Sequence, residues 1–87
     1  MHYLVSYEIS SEARDKAQAR FKAGDGLPPE GVTMVARWHH ASGRGGFAIA
    51  ETSDTVALAK WAQEWSDLLT FTISPIVNDE EIQEVIG

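Results

Sequence analysis

The chain has 87 residues, of which 44% are hydrophobic and 23% charged, a balance typical of one small globular domain and not of a disordered or membrane-spanning chain. It contains no cysteine, which excludes disulfides, thiol catalysis and cysteine-based zinc or iron–sulfur sites. The net charge of −6 argues against a nucleic-acid partner, because binding to phosphates depends on Lys and Arg. We therefore predict a single domain over residues 1–87.

The first residues lack the basic region and apolar run of a signal peptide, and no segment approaches the ~20 apolar residues of a membrane helix. We expect a cytoplasmic protein without a membrane partner. The charge is uneven: residues 1–44 carry six basic and five acidic residues, whereas residues 45–87 carry Lys60 against eight acids. This asymmetry indicates either solvated faces or electrostatic guidance of one copy onto another.

The first elements in chain order are a strand and a helix. Residues 2–9 are rich in β-branched and aromatic side chains, and Ser10 and Ser11 then favour a helix start. The helix is predicted over residues 11–23, with an apolar stripe formed by Ala13, Ala17 and Phe21. Gly24-Asp25-Gly26 ends it, and the two prolines of residues 27–31 stiffen the connection that follows.

A hairpin, a helix and a last strand follow. Strands are predicted over residues 32–40 and 47–51, joined by a glycine-rich turn. Thr52-Ser53-Asp54 favours a helix over residues 54–66, whose apolar stripe comprises Ala57, Leu58, Trp61, Ala62 and Trp65. The last strand covers residues 68–77, where Pro75 indicates an edge strand or a bulge. Asn78 or Asp79 can cap a short acidic helix, which we expect to pack on its own domain or to reach a partner copy.

This order predicts an α+β, ferredoxin-like βαββαβ fold with an antiparallel four-stranded sheet, the first and third strands central and both helices on one face. Strand alternation separates two sets of side chains. The set expected under the helices comprises Val5, Tyr7, Val32, Met34, Ala36, Phe47, Ile49, Leu69, Phe71 and Ile73. The set expected on the open face comprises Leu4, Ser6, Glu8, Thr33, Val35, Arg37, His39, Ala48, Ala50, Thr70, Thr72 and Ser74.

The open face is the predicted site. Small residues, Ser6 and Ala48 among them, leave space above the central strands, and His39, Arg37 and Glu8 are placed to project into it. A carboxylate such as Glu8 can orient a histidine for proton transfer, and arginine can hold an anionic oxygen. We therefore take these three as candidate catalytic residues. The alternatives are an exposed Arg37–Glu8 ion pair or a face covered by a second copy.

The remaining candidates have structural alternatives. Ser6, Trp38, Ala48, Glu51 and Thr72 are the predicted ligand-binding residues. Glu51 is a pocket acid or a group that caps or pairs at the start of the second helix. His39 and His40 are neighbours on a strand and point to opposite faces, so they cannot chelate one ion together. We expect neither a metal ion nor a cofactor. A haem would need an axial ligand in a large apolar cavity, and His39 is the only plausible ligand on the open face.

Four segments carry a family resemblance. Residues 45–51 (GGFAIAE), 65–68 (WSDL), 71–76 (FTISPI) and 3–8 (YLVSYE) resemble the DUF3303 family of small bacterial proteins. The resemblance implies the dimeric α/β barrel group, in which two ferredoxin-like units pack their open sheet faces together. That group includes cofactor-free or haem-degrading monooxygenases, muconolactone-type isomerases and dye-decolourising relatives. Residues 10–30 depart from the expected spacing.

Two classes of function follow as expectations. The first is a homodimer that binds a small ligand in a sheet-face cavity, between helix and sheet or between sheets. The second is a small cofactor-free enzyme, a monooxygenase or an isomerase, that uses His39, Arg37 and Glu8. A structural or assembly accessory protein is a third possibility. Fold alone does not decide among them.

Overall fold

The computed structural model describes residues 1–24 and 26–87. Its elements are β1 (His2–Ile9), α1 (Arg14–Lys22), β2 (Thr33–His39), β3 (Gly45–Glu51), α2 (Thr55–Trp65), β4 (Leu69–Ile76) and α3 (Asp79–Ile86). The strands form one antiparallel sheet in the order β2-β3-β1-β4. The predicted ferredoxin-like arrangement is thus confirmed, with β1 and β3 central and a short C-terminal helix. No helix in the described part of the chain is long and apolar enough to cross a bilayer.

Local polar contacts determine where two of the helices begin. The Asp54 carboxylate accepts a hydrogen bond of 3.0 Å from the backbone N–H of Ala57 at the start of α2. Asn78 and Glu81 form a reciprocal capping box at the start of α3. α1 begins at Arg14, three residues later than predicted. The side chain of its N-cap residue, Ala13, makes no capping hydrogen bond. It ends before Gly24, whose φ of +100° suits glycine; Asp25, in the predicted stop, lies outside the described residues.

The core lies between one face of the sheet and α2. It consists of Tyr3 and Val5 from β1, Ala48 and Ala50 from β3, Val32, and three side chains of α2, namely Leu58, Trp61 and Trp65. The apolar stripe predicted for this helix therefore packs on the sheet. Two tryptophans occupy much of the space above β3, and the alanines beneath them provide room for that bulk.

The structure exchanges part of the predicted faces. Ala48 and Ala50 lie under the helix, so Phe47 and Ile49, which alternate with them, lie on the open face. The prediction for β3 was wrong because large and small residues complement each other across the layers, which polarity alone does not indicate. On β2 the register shifts between Met34 and Ala36, a β-bulge that leaves Val35 as the extra residue.

Beyond this bulge, Arg37 lies opposite Ala48 and His39 lies opposite Gly46, so both turn toward the helices. Ala36, predicted under the helices, is paired with Ile49 and shares the open face with it. That face consequently carries an apolar group formed by Leu4, Ala36, Trp38, Phe47 and Ile49, which we call the open-face patch. Trp38 is 67% exposed within it.

The C-terminal helix leaves its apolar side in solvent. None of the residues of α3 is buried, and Val85 and Ile86 are 71% and 72% exposed. Near its start, Glu81 lies 4.0 Å from Nδ1 of His2, whose Nε2 lies 3.0 Å from the carboxylate of Glu51. The helix thus extends from the end of the sheet where β1 begins and β3 and β4 end.

Candidate functional site: a cavity between helices and sheet

A cavity of about 270 Å³ lies between the sheet and the two helices that cover it. Most of its wall is apolar, with contributions from Val5, Phe21, Ala48, Leu58, Trp61, Ala62, Trp65, Leu69 and Phe71. Four polar side chains join this wall: Tyr7, Arg37 and His39 come from β1 and β2, and Gln18 comes from α1. Such a combination of apolar surface and a few polar groups is typical of small-molecule sites.

Tyr7 and His39 are hydrogen-bonded to each other through the Tyr7 hydroxyl and Nδ1 of the imidazole. They belong to strands that flank β3, and both lie opposite Gly46 of that strand. A Cβ atom at Gly46 would lie 2.5 Å from the Tyr7 hydroxyl oxygen, closer than packing permits. Glycine at this position therefore allows the two side chains to meet across the central strand.

Arg37 occupies the same side of the sheet and contacts both the connection before β2 and α1. One of its terminal nitrogens, Nη1, donates a hydrogen bond to the carbonyl oxygen of Gly26. Its guanidinium carbon lies 4.8 Å from the centre of the Phe21 ring, a cation–π contact. The Phe21 ring in turn packs edge-on against His39, with ring centres 5.3 Å apart. These contacts place the cation beside the Tyr7–His39 pair.

Burial and the neighbouring cation act on the ionisation of this pair. Burial raises the pKa of Tyr7, and the charge of Arg37 offsets part of that rise. Burial, and to a smaller extent Arg37, lowers the pKa of His39 below its ordinary value of 6.5. Both groups are therefore predominantly neutral at pH 7. Among the described residues that line the cavity, Arg37 is the only one that carries a charge at that pH.

Three of the sequence-predicted site residues come together here and the others do not. His39, Arg37 and Ala48 line the cavity. Glu8 is exposed and alternates with Tyr7 on β1, so it lies on the opposite face and does not pair with His39. Ser6 lies opposite Thr72 and Phe47 on the open face.

The two remaining predicted residues also lie outside the cavity. Trp38 is on the open face, opposite Phe47. Glu51 lies at the far end of the sheet, with its carboxylate 3.0 Å from Nε2 of His2. Within residues 1–24 and 26–87, His, Asp and Glu side chains form no group of three that could hold a metal ion.

Sequence reasoning assigned Tyr7 to the core and missed its part in the site. The signal was available in the residue type, because a tyrosine beneath a layer of helices needs a hydrogen-bond partner for its hydroxyl. The partner could not be identified, since the β2 bulge that turns His39 inward was not visible in the alternation.

Comparisons with known proteins agree with this fold. The structure of Rv0793 from Mycobacterium tuberculosis is similar to this chain, with a TM-score of 0.51 and 11% sequence identity over 90% of this chain and 96% of that one. At this identity the likeness shows the fold alone. No curated protein matches the sequence. The family model of DUF3303, a domain of unknown function, matches residues 1–87, and the chain therefore belongs to the DUF3303 family.

Proposed function

We propose that this protein is a homodimer that binds a small, largely apolar molecule in the cavity between its helices and its sheet. The observation that carries the proposal is the convergence of Tyr7, Arg37 and His39, together with the amide of Gln18, on a cavity whose other side chains are apolar. Its volume, about 270 Å³, is at the lower end of the range for ligand pockets, roughly 300–1,000 Å³. The ligand is accordingly a molecule of one or two rings.

The homodimer is supported by the composition of the open-face patch. Phe47 and Ile49 are only half-buried in the single chain, and Trp38 is largely exposed. A chain this short gains core by covering such a surface with a second copy. Two copies related by a two-fold axis would each contribute this same patch, as in an isologous interface.

Binding is testable by titrating the ¹⁵N-labelled protein with indole, a neutral aromatic probe. We expect the indole N–H signals of Trp61 and Trp65 to shift, whereas Trp38 on the open face stays in place. Ala62→Phe fills the cavity and is expected to abolish the shifts. Ala59→Phe adds the same bulk on an exposed position of α2 and should leave them intact. Equal shifts in both variants, or none in the wild type, would contradict the proposal.

A second candidate function is isomerisation next to a carbonyl group, favoured by the Tyr7–His39 hydrogen bond beside a cation. With Nδ1 protonated and donating to Tyr7, Nε2 of His39 can take a proton from the carbon next to the carbonyl. Arg37 then stabilises the enolate oxygen, and in a β,γ-unsaturated ketone the proton returns to the γ-carbon as the double bond moves into conjugation with the carbonyl group. The reaction needs no oxidant.

Proton exchange measures this activity directly. We expect the protein to accelerate deuterium exchange of the benzylic protons of phenylpyruvate in D₂O beyond the spontaneous rate. His39→Gln should remove the acceleration, and His40→Gln, the adjacent exposed histidine, should retain it. Exchange at the spontaneous rate would restrict the cavity to binding.

A further inference from the structure

We infer, on the basis of the binding function proposed above, that the ligand of the cavity is an aromatic monocarboxylate whose carboxylate lies against Arg37. The inference names the chemistry of the ligand, which the binding proposal leaves open. It rests on the charge of the cavity wall, on the hydrogen-bonding capacity of Arg37 and on where the acidic residues of the chain lie.

Among the residues that the structure describes, the cavity wall carries one positive charge, that of Arg37, and no negative charge. The described lining residues include no aspartate or glutamate. None of the ion pairs within residues 1–24 and 26–87 involves Arg37, whose hydrogen bond is to the neutral carbonyl oxygen of Gly26. A cation placed beside apolar side chains binds an anion more strongly than it would in water, because the surrounding dielectric is low.

Arg37 retains the hydrogen-bonding edge that recognises carboxylates. A guanidinium has five N–H donors in a planar fork, and the bond to Gly26 uses one of them, on Nη1. The edge formed by Nε and Nη2 matches the two oxygens of a carboxylate. Packing against Phe21 limits rotation of the guanidinium, so the ligand meets a fixed donor pair.

Most acidic residues in the second half of the chain lie away from this position, although the net charge of the protein is −6. Tyr7 and His39 lie toward one end of the sheet, where β1 and β2 finish. Most acids of residues 45–87 lie at the other end, on α3 and around the start of α2; these are Glu51, Asp54, Asp79, Glu80, Glu81 and Glu84. Asp67, which is not at that end, is paired with Arg20 at 2.7 Å.

The neutral Tyr7–His39 pair beside Arg37 favours a ligand with a single negative charge. Tyr7 and His39 are predominantly neutral at pH 7, so they can donate or accept a hydrogen bond without adding a second positive charge. A dianion such as a phosphate monoester would leave one negative charge unmatched beside apolar side chains, which is costly. The rings of Trp61, Trp65 and Phe71 are suited to contact an aromatic group.

The test compares 3-phenylpropanoate with 3-phenylpropanamide, which differ in charge and hardly in shape. Affinities are measured from the indole N–H shifts of Trp61 and Trp65. We expect the carboxylate to bind about tenfold more tightly or better, the usual advantage of a charge-assisted hydrogen bond. Equal affinities, or tighter binding of the amide, would overturn the carboxylate assignment while leaving the binding function in place. Failure of both ligands and of indole would overturn the two together.

A variant series identifies the group responsible. In Arg37→Gln we expect the carboxylate to lose about tenfold in affinity and the amide to change by less than about twofold. Lys60→Gln removes a positive charge at an exposed position of α2 outside the cavity, and it should leave both affinities unchanged. If Arg37→Gln weakens both ligands equally, Arg37 acts only by holding Gly26 and α1, and the assignment fails. The wild-type comparison decides the question should that variant not fold.

Discussion

Tyr7 and His39 lie on strands that do not pair with each other, and their side chains form a hydrogen bond across the intervening strand above Gly46. The contact joins three strands at one point on the cavity wall. It depends on a residue with no side chain and on a bulge in β2, and it removes the two side chains partly from water. Each of these conditions leads to a measurable consequence.

Replacement of Gly46 by alanine is expected to destabilise the protein. The new Cβ would clash with the Tyr7 hydroxyl group and with the backbone carbonyl of Trp38, and neither can retreat without moving a strand. Overpacking of this kind costs about 1–3 kcal/mol in the free energy of unfolding. Urea denaturation measures the loss, and Thr72→Ala, on the exposed face of β4, serves as the control. Equal stability of Gly46→Ala and wild type would contradict the packing described here.

Thr52 ties the loop before β2 to the start of α2, and its hydroxyl group should be important for stability. This buried hydroxyl donates to the carbonyl of Gly31 at 2.6 Å and accepts from the backbone N–H of Asp54 at 2.9 Å. Thr52→Val keeps the shape and leaves both partners without the bond, which costs about 1–3 kcal/mol. Thermal unfolding checks this, with the exposed Thr70→Val as control. Matching losses in the two variants would rule out a specific role.

Acid should destabilise the protein partly through His39. Because the pKa of His39 is lowered in the folded state, the unfolded chain binds a proton there more readily. The free energy of unfolding therefore rises with pH between the folded-state pKa and 6.5, and this contribution is lost as the pH falls through that window. Urea denaturation at about pH 5 and about pH 7.5 is expected to show a smaller pH difference in His39→Gln than in wild type. An unchanged difference would contradict the lowered pKa of His39 in the folded state.

The open-face patch is the predicted dimer interface. Light scattering of the wild type should give twice the chain mass of 9.6 kDa across a dilution series. Trp38→Asp places a charge in the centre of this patch and is expected to yield the monomer, since an unpaired charge resists burial.

A matched variant on α3 distinguishes the two apolar surfaces of this chain. Ile86→Asp introduces the same charge at a side chain that is 72% exposed, and it should leave the dimer intact. Dissociation by Ile86→Asp alone would transfer the interface to the C-terminal helix. A monomeric wild type would remove the dimer from the proposal, and the cavity would then act within one chain.

The sequence predicted the elements better than it predicted their faces. The apolar stripe of Leu58, Trp61 and Trp65 predicted α2 and its buried side correctly, because apolar residues that recur with a period of 3.6 indicate a helix and not a strand. Side chains of a strand alternate between its two faces, so one extra residue at Val35 moves every later side chain of β2 to the opposite face. That single residue explains why Arg37 and His39 were expected on the open face and lie in the cavity instead.

The site was predicted in part for a related reason. Arg37 and His39 were predicted as site residues from their chemistry. Because they are two positions apart on one strand, they share a face, and the structure places both in the cavity wall. Glu8 was chosen as their partner on the assumption of a common face, which the bulge removes. Tyr7 takes the position beside His39, and only the three-strand register reveals that proximity.

The Val35 bulge also affects how this sheet meets other chains. β2 is an edge strand, and the bulge interrupts the regular row of backbone groups that an added strand would need. The opposite edge strand, β4, contains Pro75, which brings no N–H group to a ladder. Both margins of the sheet thus carry features that natural proteins use against fibril-like stacking. Both features therefore oppose growth by strand addition at the edges, and we expect any contact between copies to form on the faces of the sheet.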